Sequence, residues 1–248
     1  MTNLKRPIVA LAGNPNTGKS TVFNALTGLN QHTGNWPGKT VTLAAGAFAW
    51  HNMSFTVVDL PGTYSLFANS PDEEVARDFI LFGTPDVTVV VVDATCLERN
   101  LNLVLQVLEI TPRTVVCVNL MDEARRKRLI VNTDRLATEL GVPAIPCVAR
   151  SGEGLNTLKN AILNVAGNYI ATCPRPVCYS ADIEASLAVV ARELTPLAPQ
   201  FSPRWLALRL LERDNTLLQR ILAEEQNEMP VRELKLPRAT KKVAPWPG

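Results

Sequence analysis

The feature that most constrains this chain is a glycine-rich segment between an apolar strand and a helix. Residues 13–20 fit the pattern G-x-x-x-x-G-K-[ST] of a phosphate-binding P-loop. The apolar residues 8–12 predict a buried strand, and residues 19–28 predict a helix that Gly28 ends. Backbone N–H groups at such a junction point at an anion, which the helix dipole also favours. An ordinary glycine-rich turn is the alternative, and the flanking strand and helix argue against it.

The P-loop residues are assigned to a bound nucleotide and its metal ion. Lys19 brings a positive charge to the β- and γ-phosphates. Ser20 offers a hydroxyl to Mg²⁺, a hard cation that prefers oxygen ligands. The predicted phosphate-binding residues are Gly13, Asn14, Pro15, Asn16, Thr17, Gly18, Lys19, Ser20 and Thr21.

A second motif, Asp-Leu-Pro-Gly, follows the apolar strand predicted over residues 53–59. Asp59 can hold the Mg²⁺ through water, as the corresponding aspartate does in P-loop NTPases. Gly62 lacks a Cβ, so its N–H can approach a γ-phosphate closely. A strand that ends in a Pro-Gly turn would also explain these residues, so the motif gains its force from its order after the P-loop.

The base is predicted from Asn119-Leu120-Met121-Asp122, which ends an apolar strand. Guanine presents two adjacent donors, and the Asp122 carboxylate can accept both. Adenine would present an acceptor there and leave that carboxylate unpaired, which costs binding. Asn119 can bridge the base and the P-loop. Leu120 stands where lysine is more usual, so we expect weaker nucleotide affinity without a change of base.

A looser motif follows the strand predicted near residues 144–148. Its loop is the place for a backbone N–H that binds guanine O6, and it gains weight only from the other motifs. The residues assigned to this contact are Val148, Ala149 and Arg150.

Four stretches together resemble the cytosolic GTPase domain of the ferrous iron transport protein B family. They are residues 13–20, 34–40, 59–64 and 119–124, and the stretch 34–40 is the discriminating one. The resemblance covers about residues 5–225 and implies a G domain, a small helical domain and then a membrane permease for Fe²⁺. Lys39 departs from the apolar residue expected at its position. The discriminating stretch, also assigned to the nucleotide, consists of Gly34, Asn35, Trp36, Pro37, Gly38, Lys39 and Thr40.

The resemblance implies GTP hydrolysis that regulates Fe²⁺ uptake. Many GTPases place a water-orienting glutamine directly after Asp-x-x-Gly, and Thr63 is too short for that role. The family suggests instead K⁺ held by Asn16 and by backbone carbonyls of residues 34–38, where an arginine finger stands elsewhere. We therefore expect slow hydrolysis that K⁺ stimulates. The implied catalytic residues are Lys19, Asn16, Thr40 and Gly62, and the implied Mg²⁺ ligands are Ser20, Thr40 and Asp59.

Alternating strands and helices predict a mostly parallel six-stranded sheet flanked by helices, as in Ras-like P-loop GTPases. Only helices are predicted after Pro174, one of them capped by Ser202. Strands are predicted near residues 8–12, 44–50, 53–59, 87–93, 114–119 and 144–148, the second and third as an antiparallel hairpin. Helices are predicted near residues 19–28, 73–82, 98–110, 133–140 and 154–168. The predicted domains are a G domain at 1–170, a helical domain at 171–228 and a basic tail at 229–248.

Composition and charge limit the function classes. No apolar run reaches about 18 residues, so no transmembrane helix is expected. A net charge of +2 argues against a dedicated nucleic-acid binder. Five irregularly spaced cysteines suit a reduced compartment. The resemblance implies a soluble fragment at the cytoplasmic face of the bacterial inner membrane, attached to a permease domain of the same polypeptide, and leaves a homo-oligomer open.

Several smaller features keep alternatives open. Acidic residues 72–74 suit a helix N-terminus better than an iron site, and a contact with the helical domain is a third interpretation. Basic residues 125–128 suit a solvated loop, with anionic lipid or RNA as alternatives. Cys117 and Cys147 are predicted core residues. A metal site formed by the cysteines at 173 and 178 is a weaker hypothesis, because no histidine or third cysteine lies nearby.

Two other function classes remain at this point. A ribosome-assembly or RNA-modification GTPase shares the Asn-Pro-Asn style of P-loop. The region after residue 174 nevertheless lacks a KH signature and the aromatic–basic pattern of RNA-binding modules. The other class is a scaffold that senses GTP without hydrolysing it.

Overall fold

One seven-stranded sheet organises the chain. The structure is a computed structural model, and it describes residues 6–29, 31–35, 42–67, 70–196, 200–212 and 221. The strands are β1 (Ile8–Gly13), β2 (Gln31–Asn35), β3 (Thr42–Trp50), β4 (Met53–Asp59), β5 (Val87–Asp93), β6 (Thr114–Asn119) and β7 (Ala144–Pro146). Their order across the sheet is β2-β3-β4-β1-β5-β6-β7. β3 runs antiparallel to both of its neighbours, and the other pairs are parallel.

Helices cover both faces of this sheet. The described helices are α1 (Lys19–Thr27), α2 (Pro71–Phe82), α3 (Leu97–Ile110), α4 (Met121–Arg126), α5 (Thr133–Leu140), α6 (Leu155–Ala166), α7 (Ala181–Leu194) and α8 (Pro203–Leu211), the last two outside the helices that cover the sheet. Along β5, Val90 and Val92 pack with residues of α2 and α3, whereas Val89 and Val91 pack with residues of α1 and α6. A strand with apolar residues on both faces must be central, as its sequence predicts. The predicted fold class is confirmed.

The six predicted strands are all present, and the structure adds a seventh. β2 occupies residues for which no strand was predicted, and Gly34 and Asn35 are its last two residues. Its backbone pairs with β3, from Gln31 opposite Gly46 to Asn35 opposite Thr42. The sequence Gln-His-Thr-Gly-Asn has no alternation of apolar and polar residues, so its strand depends on a neighbour that sequence periodicity does not reveal.

Helix α1 ends at the predicted glycine, and α2 begins with a serine cap that was not predicted. Gly28 ends α1 with a φ of 63°, a left-handed conformation that glycine adopts without strain. Ser70 caps α2 by accepting a hydrogen bond from the Glu73 N–H at 3.2 Å, directly before Pro71. The acidic residues 72–74 therefore lie in the first turn of a helix, where the helix dipole favours them.

Among the described residues after 180, the regular elements are the helices α7 and α8, in agreement with the predicted helical region. Ser202 caps α8 with Pro203 at its start, and the Ser202 hydroxyl accepts from the Trp205 N–H at 3.4 Å. Leu187 of α7 packs with Ala207 and Leu208 of α8. The other side of α8 packs on the end of α2, so the two helices rest against the sheet domain through apolar contacts.

An ion pair ties α7 and α8 to the segment that precedes them. The Arg204 guanidinium donates to both carboxylate oxygens of Glu184, at 2.7 and 2.8 Å, and to the Val177 carbonyl at 2.7 Å. The Tyr179 N–H also donates to Glu184 at 2.9 Å. The hydrogen bond from Arg204, followed by that from Tyr179, lowers the pKa of Glu184 from its ordinary 4.5 to about 2.

This pKa shift gives an expected pH dependence. Because the folded pKa of Glu184 is depressed, its contribution to stability is present above about pH 4.5 and is lost as the pH falls towards about 2. Glu184→Gln should therefore lower the denaturant midpoint at pH 7, and the difference from wild type should disappear near pH 2. Glu193→Gln is the control, since Glu193 pairs only with its exposed neighbour Arg192 among the described contacts. An equal loss for Glu184→Gln at both pH values would contradict the role of the charge.

Two further absences concern the described residues alone. No helix among them is long and apolar enough to cross a membrane. No group of three or more potential metal-ligating side chains occurs among them either. Cys117 and Cys147 are buried in the core, as predicted, whereas Cys173 and Cys178 are exposed.

Candidate functional site

The P-loop joins β1 to α1 at the carboxyl edge of the sheet. Two of its residues have left-handed backbone conformations, Asn16 with a φ of 66° and Gly18 with a φ of 79°. A Cβ on Gly18 would stand 2.4 Å from Nδ2 of Asn119, so glycine is required there by both conformation and space. The loop is braced internally by the Thr17 hydroxyl, which donates to the Asn14 carbonyl at 2.9 Å. Asn16 and Ser20 are exposed at the loop surface, where a ligand can reach them.

Asn119 connects three segments of the site. Its side-chain Nδ2 donates to the Thr17 carbonyl at 3.0 Å, and its Oδ1 accepts from the Ala149 N–H at 3.0 Å. The residue is 1% exposed, so both hydrogen bonds are made in a dry environment where an unpaired amide would be costly. The predicted bridge to the P-loop is therefore present in the structure. The bond to Ala149 was not predicted, and it uses the backbone N–H of one of the three residues assigned to guanine O6.

Asp122 lies in the first turn of α4. Leu120 caps this helix with a φ of 61°, a left-handed conformation that is uncommon for leucine. Asp122 Oδ1 is buried and has no hydrogen-bond partner within the described part of the chain. Its Oδ2 lies 3.7 Å from Nη2 of Arg126, one helical turn further on. A buried carboxylate oxygen without a partner is a ready acceptor for a ligand donor.

The Lys19 ammonium and the Asp59 carboxylate lie in direct contact. Burial raises the pKa of the Asp59 carboxyl above its ordinary value, and the Lys19 charge offsets part of that rise. Asp59 at the end of β4 and Ser20 at the start of α1 supply oxygen atoms of the kind that Mg²⁺ prefers. The residues present therefore fit the magnesium ion that a GTPase domain uses.

The loop after β4 approaches the P-loop from the other side. Gly62 lies against Pro15, because a Cβ on Gly62 would stand 3.4 Å from the Pro15 Cα. The Thr63 N–H donates to the Gly13 carbonyl at 3.2 Å. The Thr63 hydroxyl is turned away to donate to the Ser65 carbonyl at 2.6 Å. This geometry agrees with the inference that Thr63 does not orient a water molecule.

Two side chains of α3 contact this loop. Gln106 of α3 accepts a hydrogen bond from the Leu66 N–H at 2.7 Å. The guanidinium carbon of Arg99 lies 4.4 Å from the centre of the Tyr64 ring. These contacts were not predicted, because nothing in an amphipathic helix pattern specifies which polar residue reaches a loop.

The discriminating stretch is described only in its first part. Gly34 and Asn35 belong to the backbone of β2, on the far side of β3 from the rest of the sheet. The other predicted residues of this stretch lie outside the described residues: Trp36, Pro37, Gly38, Lys39 and Thr40.

The loop after β7 is short and closed on itself. The Val148 N–H donates to the Glu153 carbonyl at 3.0 Å, and the N–H groups of Ser151 and Gly152 both donate to the Val148 carbonyl. These backbone hydrogen bonds brace the loop internally. The predicted residues Val148, Ala149 and Arg150 all lie in it, next to α4 through the bond from the Met121 N–H to the Cys147 carbonyl at 3.3 Å.

The basic residues 125–128 differ from their prediction. We assigned them to a solvated loop, but Arg125 and Arg126 form the last residues of α4. Arg125 donates from Nη1 to Oε2 of Glu153 at 3.3 Å and from Nη2 to Oε1 of the same carboxylate. Arg126 pairs with Glu123 on its own helix. A six-residue helix is too short to show a periodic pattern, and the partner of Arg125 is distant in sequence, so neither feature could be predicted.

Comparison with known proteins agrees with this geometry. A family model described as "Ferrous iron transport protein B" matches residues 7–162, and one described as "FeoB cytosolic helical domain" matches residues 179–237. The Fe(2+) transporter FeoB of Salmonella typhimurium is 41% identical over 218 residues, which cover 85% of this chain and 28% of that protein. The FeoB of Escherichia coli K12 is also 41% identical, over 85% of this chain and 27% of its own length.

Solved structures show the same fold. The cytosolic domain of T. maritima FeoB in a GDP form has a TM-score of 0.82 and 34% identity, covering 93% of this chain and 89% of that chain. Its GMPPNP form has a TM-score of 0.80 and 32% identity, covering 95% and 88%. The cytosolic domain of L. pneumophila FeoB has a TM-score of 0.79 and 33% identity, covering 92% and 90%.

These matches do not favour an RNA-directed GTPase, the alternative drawn from the P-loop alone. The chain spans slightly more than a quarter of the length of its curated relatives, 28% for the Salmonella protein, and the matched part contains the nucleotide motifs. The first family model covers the strands of the sheet, and the second begins at residue 179 and includes α7 and α8. The chain belongs to the ferrous iron transport protein B family and comprises its GTPase domain and its cytosolic helical domain.

Proposed function

We propose that this chain binds GTP, hydrolyses it slowly and thereby regulates Fe²⁺ uptake by a membrane permease domain of the same polypeptide. The observation that carries the nucleotide part is the position of Asn119, which hydrogen bonds to the P-loop and to the base-side loop at once. The iron part is supported by relatives named Fe(2+) transporters, of which this chain spans 28%.

In this proposal the phosphates lie against residues 13–21. The backbone N–H groups at the start of α1 and the Lys19 ammonium supply positive charge. Ser20 and Asp59 hold Mg²⁺, joined by Thr40, which lies outside the described residues. The ion supplies charge neutralisation at the β- and γ-phosphates. Gly62, next to Pro15, donates its backbone N–H to the γ-phosphate.

The base is proposed to lie between α4 and the loop 148–153. Asp122 accepts both guanine donors, consistent with its buried and unpaired Oδ1. Leu120 flanks the base with an apolar side chain in place of a longer charged one. The backbone of Val148, Ala149 and Arg150 faces guanine O6, with the Ala149 N–H shared between Asn119 and the base.

Catalysis is proposed to depend on K⁺ beside the phosphates. Asn16 is exposed on the P-loop, and its amide oxygen is a suitable ligand. Backbone carbonyls of residues 34–38 are proposed to complete the shell, and the same backbone positions the attacking water. This arrangement takes the place of a glutamine that Thr63 does not provide, since its hydroxyl donates to Ser65.

The proposed domain limits are residues 1–170 for the G domain, 171–228 for the helical domain and 229–248 for a basic tail. The tail lies outside the described residues. We place the chain at the cytoplasmic face of the bacterial inner membrane, because its tail carries an excess of lysine and arginine. A homo-oligomer of the chain is a further proposal.

The function is tested in the longer polypeptide, reconstituted with its permease domain into vesicles. Asp122→Asn should exchange guanine for xanthine, because asparagine donates where aspartate accepts and xanthine carries a second carbonyl. Fe²⁺ uptake by wild type should depend on GTP, and uptake by the variant should depend on XTP. If Fe²⁺ uptake depends on neither nucleotide although XTP still binds the variant, the proposed regulation of iron uptake is wrong. The assignment of Asp122 to guanine would stand in that case.

A further inference from the structure

Two separate parts of the chain carry the groups assigned to the base. Asp122 lies on α4, and Ala149 lies on the closed loop 148–153. The backbone contact between these parts is the bond from the Met121 N–H to the Cys147 carbonyl, at 3.3 Å. Asn119 adds its bond to the Ala149 N–H. A base held between the two parts can leave when the loop moves away from α4.

At the protein surface, an ion pair joins α4 to the loop 148–153. Arg125 extends from the last turn of α4 and meets the Glu153 carboxylate with two guanidinium nitrogens. Glu153 closes the loop through its carbonyl, which accepts the Val148 N–H at 3.0 Å. Because Glu153 is bonded to Val148 at the other end of the loop, a contact that holds Glu153 also restrains the segment that contains Ala149. Both side chains are about half exposed, 57% for Arg125 and 52% for Glu153.

We propose that Arg125 and Glu153 form a clasp that holds the base-side loop against α4 and slows nucleotide dissociation. The clasp rests on the assignment of Asp122 and Ala149 to the base in the function proposed above. Arg125 and Glu153 are positioning residues, because they act through the two parts that they join and not through the nucleotide. A two-nitrogen, two-oxygen contact fixes orientation as well as distance, which single-point ion pairs do not.

The expected effect is modest because the contact is exposed to solvent. Exposed ion pairs contribute little on average, and those with two-pronged geometry lie at the upper end of the range. We expect loss of the clasp to raise the dissociation rate about two- to fivefold. The effect of the clasp on the dissociation rate should also shrink as the salt concentration rises, because dissolved ions screen exposed charges. The screening length is about 10 Å at 0.1 M ionic strength and becomes shorter at higher salt.

The test is the dissociation rate of fluorescent N-methylanthraniloyl-GDP, chased with excess GDP in Mg²⁺ buffer. Arg125→Gln and Glu153→Gln should each accelerate dissociation, and the double variant should be no faster than either single variant. Raising the salt concentration should accelerate wild type more than the double variant. Arg128→Gln is the matched control, because it removes the same charge from the same basic run and should leave the rate unchanged.

Two outcomes would overturn the clasp. One is an unchanged rate in both single variants, and the other is a double variant whose acceleration is the product of the two single effects. Asp122→Ala, measured alongside, separates this failure from failure of the base assignment. If Asp122→Ala accelerates dissociation and the clasp variants do not, only the clasp is wrong. If Asp122→Ala also has no effect, the base assignment is wrong.

Discussion

Replacing Asp122 with alanine should weaken GTP binding by about 3 kcal/mol, the order of a lost charged hydrogen-bond pair, or more than a hundredfold in Kd. The structure gives the reason, because Asp122 Oδ1 is buried and lacks a partner within the described residues. ATP should bind wild type poorly, since adenine would leave that oxygen unpaired. Isothermal titration with GTP and with ATP measures both affinities.

Glu123→Ala is the matched control for this substitution. Glu123 is the next residue on α4 and pairs with Arg126, so its loss removes an acidic charge from the same helix. We expect its GTP affinity to stay within a few-fold of wild type, as for other exposed pairs. Equal binding of GTP and ATP by wild type would contradict the assignment of Asp122.

The second large effect concerns the monovalent cation. An arginine finger accelerates hydrolysis about 10³–10⁵-fold in other GTPases, and even part of such an acceleration is easily measured. At equal ionic strength we expect hydrolysis to be at least about tenfold faster in K⁺ than in Na⁺, which is smaller and fits the same oxygen ligands badly. Asn16→Ala should abolish the difference. Single-turnover hydrolysis under saturating GTP measures it.

The control must account for the backbone of Asn16, whose φ is 66°. Asn168 has a similar φ of 55° and follows α6, so Asn168→Ala imposes a comparable strain away from the P-loop. It should keep the full response to K⁺. Equal wild-type rates in the two salts would rule out the role of Asn16. Lys39→Val should then be assayed for a restored response, because the Lys39 ammonium can substitute for the cation.

Sequence patterns predicted most of the fold because the core is regular. β5 was identified by its unbroken run of β-branched residues, and the structure buries it on both faces. The P-loop was identified by fixed spacing between a strand and a helix, a pattern that depends on local geometry alone. Asn119 was predicted from its motif to bridge the base and the P-loop, and the structure shows the P-loop half of that bridge, the bond to the Thr17 carbonyl.

The features that sequence could not predict depend on contacts between distant residues. β2 is a strand because β3 accepts it along its edge, and its own residues carry no strand pattern. Arg125 is distinguished from the other basic residues of its run only by its distance to Glu153. Gln106 likewise looks like any polar residue of α3 until the Leu66 backbone is seen beside it. Such contacts require the folded geometry.

The two hydrogen bonds of Asn119 have a consequence for how the site meets a ligand. They join Thr17 and Ala149, which lie 102 residues before and 30 residues after Asn119 in the chain. Ordering of the loops at these two ends is therefore part of folding, and a ligand need not supply its entropic cost. A fragment such as guanosine contacts the base-side loop and not the P-loop. It therefore binds a site in which the P-loop is already ordered by Asn119. The contributions of the base and of the phosphates to the free energy of nucleotide binding should then be additive.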